Sequence, residues 1–153
     1  MAKIFKTSED IAELAQDVFE ETGLPQIGIT MKVMSVPKQK QVIKVSKANA
    51  TVEFIGKVND CIILYIYEEA FDRMDDEGKK MLLESALCNV SFDTEKDKLN
   101  IESNPYKQVF AMRRKYGERF INIFETSNII IDEIEEEKKQ KKLEEREAKK
   151  NKK

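Results

Sequence analysis

The sequence predicts an α+β fold: an N-terminal helix, a small and mainly antiparallel sheet of about four strands packed with a central helix, then a long C-terminal helical region. Three observations carry that prediction. Apolar residues recur at helical spacing from Ile11 to Phe19, and from Ile27 the period shortens to two. CIILYIY, Cys61–Tyr67, is apolar on both faces, as befits a central strand covered from both sides.

Thr7 and Ser8 precede the acidic pair Glu9 and Asp10, which suits a capped helix start where the dipole favours anions. Ile11, Leu14, Ala15, Val18 and Phe19 form one face of this helix. Gly23 closes it in a position that requires positive φ, and Pro25 prevents its resumption. Ile29, Met31 and Val33 then alternate with Thr30 and Lys32, and Pro37 ends the strand. Val42–Val45 and Thr51–Ile55 are each expected as strands separated by the SKANA loop, giving an antiparallel meander with hairpin-length connections.

After Cys61–Tyr67 come Glu68, Glu69 and Asp72, with Phe71 and Met74 turned back to the core. Asp75 is placed to cap a helix that runs to Val90 and buries Leu82, Leu83, Ala86, Leu87 and Val90. Ser91–Thr94 and Leu99–Ile101 are expected as two short strands around EKDK. Pro105 suits a helix start, and Gly117 is placed to bend or divide the apolar-periodic region that follows. Asn128–Ile131 fits strand or helix, and helix is preferred. From Asp132 onward 8 acids and 9 bases occupy 22 residues, with Glu137 and Lys141 among the pairs at helical spacing. The expected division is therefore a single α+β domain over residues 1–131 and a charged tail, helical or disordered, over residues 132–153.

Composition narrows the function. The chain has 153 residues, 41% of them hydrophobic, enough for a domain with a real core. Its formal net charge is −2, which argues against a dedicated polyanion binder. Cys61 and Cys88 lie in apolar surroundings with no CxxC spacing, so buried free thiols and a reducing, cytoplasmic setting are expected. The N-terminus carries no signal-peptide run, and no stretch approaches the roughly 18 apolar residues of a membrane span. With no histidine in the chain, Ser–His and Cys–His catalysis and imidazole-based zinc sites are excluded. The glycines form no phosphate-binding loop.

Two clusters remain. Glu68, Glu69, Asp72, Asp75, Asp76 and Glu77 offer hard oxygens suited to magnesium or calcium, although the helix dipole explains them locally. Arg113, Arg114 and Lys115, flanked by Phe110 and Tyr116, interleave bases with aromatics in a way that can contact nucleic acid, although the aromatics are more simply explained as core.

This order of elements, with a central apolar strand leading to an acidic turn and a helix that begins Asp-Asp-Glu, resembles the metallopeptidase-like proteins of tailed bacteriophages. That family is a minimal zincin-like one, in which a DxIIxI strand leads to an acidic turn and a helix bearing HExxH. Asp60–Ile66 and Phe71–Glu77 match that layout, RRKYG at Arg113–Gly117 is similar to the basic stretch that follows, and the resemblance covers Ser8 to Gly117. The departure lies in ESALC, Glu84–Cys88. Laid over HExxH, it puts Glu84 at the first ligand, Ser85 at the general base and Cys88 at the second ligand. Glu84 and Cys88 share a helix face and can in principle hold zinc, but Ser85 cannot activate water as a base.

The resemblance thus implies a degenerate member without HExxH: a peptidase-like scaffold, with no enzymatic activity, catalytic residue or cofactor expected. The expected function is binding a protein partner, or self-association, through the C-terminal helical region from Tyr106 to Leu143. Tyr106, Phe110, Arg113, Arg114, Lys115 and Tyr116 are the candidate contacts. The alternatives are a metal-dependent hydrolase with Glu84 and Cys88 as atypical ligands, and a nucleic-acid-binding accessory. No membrane role is expected.

Overall fold

The computed structural model describes residues 5–56, 60–102 and 105–152, with the side chains of Phe5, Pro105, Tyr106 and Gln108 outside that description. In chain order the elements are β1 (Phe5–Lys6), α1 (Glu9–Glu21), a 3-10 turn (Leu24–Ile27), β2 (Thr30–Val36), β3 (Ile43–Lys47), α2 (Ala50–Gly56) and β4 (Cys61–Tyr67). They continue with α3 (Glu68–Asp72), α4 (Asp76–Leu87), β5 (Val90–Asp93), β6 (Lys98–Ile101), α5 (Pro105–Tyr116) and α6 (Glu118–Asn151). The main sheet runs β1-β2-β4-β3, and β5 and β6 form a separate antiparallel pair. Among the described residues no helix is long and apolar enough to cross a membrane.

The α+β class is as the sequence predicts, and β4 is central. Ile62, Leu64 and Ile66 on one face of β4 are fully buried against α1 and α4. Each such side chain contributes roughly 1.5–3 kcal/mol by leaving water. Cys61 and Ile63 on the other face join Ala48 in a smaller cluster, with Val52 of α2 packed on it. Ile11, Ala15, Val18 and Phe19 of α1 are buried as their spacing requires, and Gly23 sits at φ 79° where the helix ends. Ser8 occupies the N-cap position without a side-chain bond. Its backbone N–H instead donates to Glu68 Oε1 at 3.0 Å, tying the start of α1 to the start of α3.

The meander is corrected in two places. Thr51–Ile55 is not a strand but lies in helix α2. Asn49 Oδ1 accepts the Val52 N–H at 2.8 Å, which starts a helical turn despite the β-branched composition. The fourth strand is β1, at the other edge of the sheet. Nor do the strands follow one another as hairpins: β2 and β4 are parallel, with Thr30 opposite Cys61 and Val36 opposite Tyr67, and β3 pairs antiparallel with the far side of β4.

Gly117, at φ 68°, divides the C-terminal region into α5 and α6. Asn128–Ile131 is helical, and α6 continues unbroken to Asn151. Phe120, Ser127, Ile130, Ile131 and Ile134 fix its first half to the core, whereas the described residues from Glu136 onward are exposed. Two ties hold the middle of α6 to α3. Arg73 makes a two-pronged contact with Glu137 at 2.8 and 3.2 Å, and Lys138 lies 3.3 Å from Glu69.

Candidate functional site

The stretch to which the HExxH comparison points is the C-terminal half of α4. Asp75 Oδ1 starts this helix by accepting the Gly78 N–H at 2.7 Å. A side chain at position 78 would meet Asp75 Oδ1 and Met74 Cε at 2.8 Å, so the tight first turn depends on glycine. Met81, Leu82, Leu83, Ala86 and Leu87 bury the helix against the sheet. That packing turns Ser85 one way and Glu84 with Cys88 another.

Glu84 and Cys88 border one groove of about 400 Å³ between α1, α4 and α5, with Glu21, Thr22 and Lys115 on its rim. The four-residue spacing thus does place both on one side of the helix. Both oxygens of Glu84 are engaged: Lys115 Nζ donates to Oε1 and Tyr116 Oη to Oε2. Glu84 raises the pKa of Lys115 above its ordinary value chiefly through that hydrogen bond. Tyr116 is raised first by burial and then by Glu84. The Lys115 ammonium also lies 5.2 Å from the centre of the Tyr116 ring.

Of the two thiols, Cys61 is buried as expected and Cys88 is not. Cys88 lies at the C-terminal end of α4, where the helix stops covering it, and the residue is exposed. Its Sγ is 3.9 Å from Met112 Sδ of α5. Burial of the sulfur against that neighbour raises the thiol pKa, the Glu84 charge raises it further, and Lys115 opposes both.

Ser85 is buried and faces a second, smaller cleft of about 120 Å³ together with Gln41, Val42, Phe124 and Ser127. Ser85, which the HExxH comparison lays over the general base, thus presents a hydroxyl on a different side of the helix from Glu84 and Cys88. Among the described residues no group of three or more Cys, Asp or Glu side chains could hold a metal ion. Every cysteine, aspartate and glutamate of the chain lies among those residues. The donors present do not fit zinc: one engaged carboxylate and one thiol fall short of the three ligands a catalytic site uses.

The acidic turn disperses in the same way. Glu68 accepts from Ser8, Glu69 lies 3.9 Å from Arg73, Asp75 caps α4 and Glu77 pairs with Arg119. These acids serve helix ends and ion pairs one by one.

The candidate contacts on α5 separate into two sets. Lys115 and half-buried Tyr116 turn inward onto Glu84. Arg113, which pairs with Glu118 at 3.3 Å, and Arg114 are exposed, and Phe110 is 74% exposed. Phe110 is therefore not core, because the face of α5 that packs inward is marked by buried Met112. The side chain of Tyr106 lies outside the described residues. Sequence reasoning missed the Glu84–Lys115–Tyr116 contact, because its members stand 31 and 32 positions apart and no local pattern links them. The only signal was RRKYG, read as one cluster.

A family model described as putative phage metallopeptidase matches residues 3–145, nearly the whole chain. The chain belongs to the phage metallopeptidase family. No curated protein and no solved structure matches it significantly. This member carries a lysine–tyrosine clamp on the Glu84 carboxylate.

Proposed function

We propose that this phage metallopeptidase family member is non-catalytic. In this reading it acts in the host cytoplasm by binding another macromolecule, a protein, with the sheet and α4 as scaffold. The observation that carries the reading is the Glu84 carboxylate, which the HExxH comparison lays over the first ligand, held on both oxygens by Lys115 and Tyr116. With Ser85 buried on another side and both Glu84 oxygens engaged, no group in this stretch is placed to activate water. The proposed contact surface is the outward side of α5 and α6 from Tyr106 to Leu143. It offers Phe110, Ile129 and Leu143, all more than half exposed, beside Arg113 and Arg114.

Two measurements on the full-length protein test this. Elemental analysis is expected to find zinc far below stoichiometric, and sizing with light scattering in native lysate is expected to find a discrete complex that Phe110→Ala with Arg114→Ala weakens. Stoichiometric zinc that disappears on Glu84→Ala or Cys88→Ala would replace this reading with a metal-dependent hydrolase. A clean monomer that captures nothing would remove the binding role.

A further inference from the structure

The formal charge of −2 conceals a segregation. From Thr22 to Val52 the chain carries five lysines and no acid. The fold gathers most of them on one side. The sheet face that turns away from α1 and α4 carries Lys32 and Met34 of β2, Tyr65 of β4, and Lys44 and Ser46 of β3. Lys6 of β1 stands opposite Met34, Met34 opposite Tyr65, and Tyr65 opposite Lys44. That row spans three strand spacings, about 14 Å, with an ammonium at each end and Met34 and Tyr65 half-buried between them.

The loop between β2 and β3 adds two more lysines. Lys38, Lys40 and Lys44 line an open groove of about 530 Å³ with Ser46 and Tyr65. The loop is held in place by Gln39, whose Nε2 donates to the carbonyls of Val42 at 3.2 Å and Tyr65 at 2.8 Å. Two acids border this surface: Glu135, 4.0 Å from Lys38, and Glu53, which accepts the Cys61 N–H. At the other end of the face, α2 lays Val52 on the sheet and leaves Phe54 85% and Ile55 75% exposed.

We propose that this open sheet face, with Lys6, Lys32, Lys38, Lys40 and Lys44 and with Phe54 exposed on the helix α2 that borders it, binds single-stranded nucleic acid through its phosphates. Lysines are point charges that hold phosphates without reading bases, while exposed aromatic faces stack on any base. Ammonium groups around flat apolar surface match a polymer in which charge and ring alternate at each residue. An acidic peptide offers the charge without the rings. The face is separate from the α5–α6 surface and the proposal does not rest on it.

The test uses the full chain and a fluorescent thymidine oligomer of about 20 nucleotides, with anisotropy read between about 20 and 200 mM salt. Binding is expected at low salt, with log K falling against log salt by about 0.7 per phosphate contacted. Lys32→Gln with Lys44→Gln should flatten that slope by about 1.4 and weaken low-salt binding about tenfold or more. Phe54→Ala should weaken it about five-fold or more at unchanged slope. Lys149→Gln with Lys150→Gln, an equal charge loss on the exposed end of α6, should leave it unaltered. All five positions are exposed, so the variants keep the wild-type melting temperature. No binding at the lowest salt overturns the proposal, as does binding that responds equally to both lysine pairs. Poly-glutamate competing as well as the oligomer, with Phe54→Ala silent, would assign the face to an acidic protein instead.

Discussion

The Glu84 clamp sets up a comparison among three substitutions that report different physics at one carboxylate. The Glu84 side chain is 16% exposed and that of Lys115 61%, so solvent screens the ion pair and its contribution is about 0.5 kcal/mol. The Tyr116 hydroxyl is part-buried and donates to a charged acceptor, a bond that contributes roughly 1.5–3 kcal/mol. Lys115→Met should therefore lower the melting temperature by about 2 °C or less, and Tyr116→Phe by about 3–12 °C. Glu84→Ala removes the acceptor from both and leaves the phenol unpaired, so it should cost at least as much as Tyr116→Phe. Calorimetry at neutral pH measures all three.

The same clamp has a pH signature. Lys115 and Tyr116 both have raised pKa values in the fold, from ordinary values of 10.5 and 10.0. The folded state therefore holds these protons more tightly than the unfolded chain. The stability they contribute is complete below about pH 10 and is lost as pH rises through the folded values. Wild type should destabilise more steeply on the alkaline side than Glu84→Gln. A Lys115→Met cost equal to that of Glu84→Ala, with Tyr116→Phe silent, would refute the reasoning.

Other expectations follow from single contacts. Gly117→Ala adds a Cβ in open space at φ 68°, ψ −144°, so it should cost about 1–3 kcal/mol in urea unfolding from backbone strain alone. Gly78→Ala should cost more than Asp75→Ala, whose loss of the cap is about 1 kcal/mol, because the new methyl also displaces Asp75 and Met74. Thr7 Oγ1 is buried without a hydrogen-bond partner among the described residues, so Thr7→Val should leave the melting temperature unchanged or raise it. The Glu137 carboxyl is held below its ordinary pKa by its hydrogen bonds with Arg73, so that tie operates above the usual carboxylate range and fades as pH falls through the lowered value. Arg73→Ala should reduce the acid sensitivity of hydrogen exchange in the middle of α6.

The sequence by itself determined α1, α4, β4, the division at Gly117 and the family. Each rests on information local to the chain. Apolar residues at a period of 3.6 fix which side of a helix is buried, a strand apolar on both faces must be central, and a glycine at a positive-φ position ends a helix wherever it occurs. Only the tertiary structure decided how the strands pair, since period-two alternation is the same in a hairpin and in a crossover. It alone made Thr51–Ile55 a helix, where the Asn49 cap and the packing of Val52 outweigh β propensity. The candidate site divides along the same line. That ESALC lacks the histidines of HExxH is visible in the letters. That Glu84 is closed off by Lys115 and Tyr116, that Cys88 lies at the surface, and that lysines from three strands and a loop share one face depend on residues brought together from distant parts of the chain. Such contacts leave no periodic trace in a sequence.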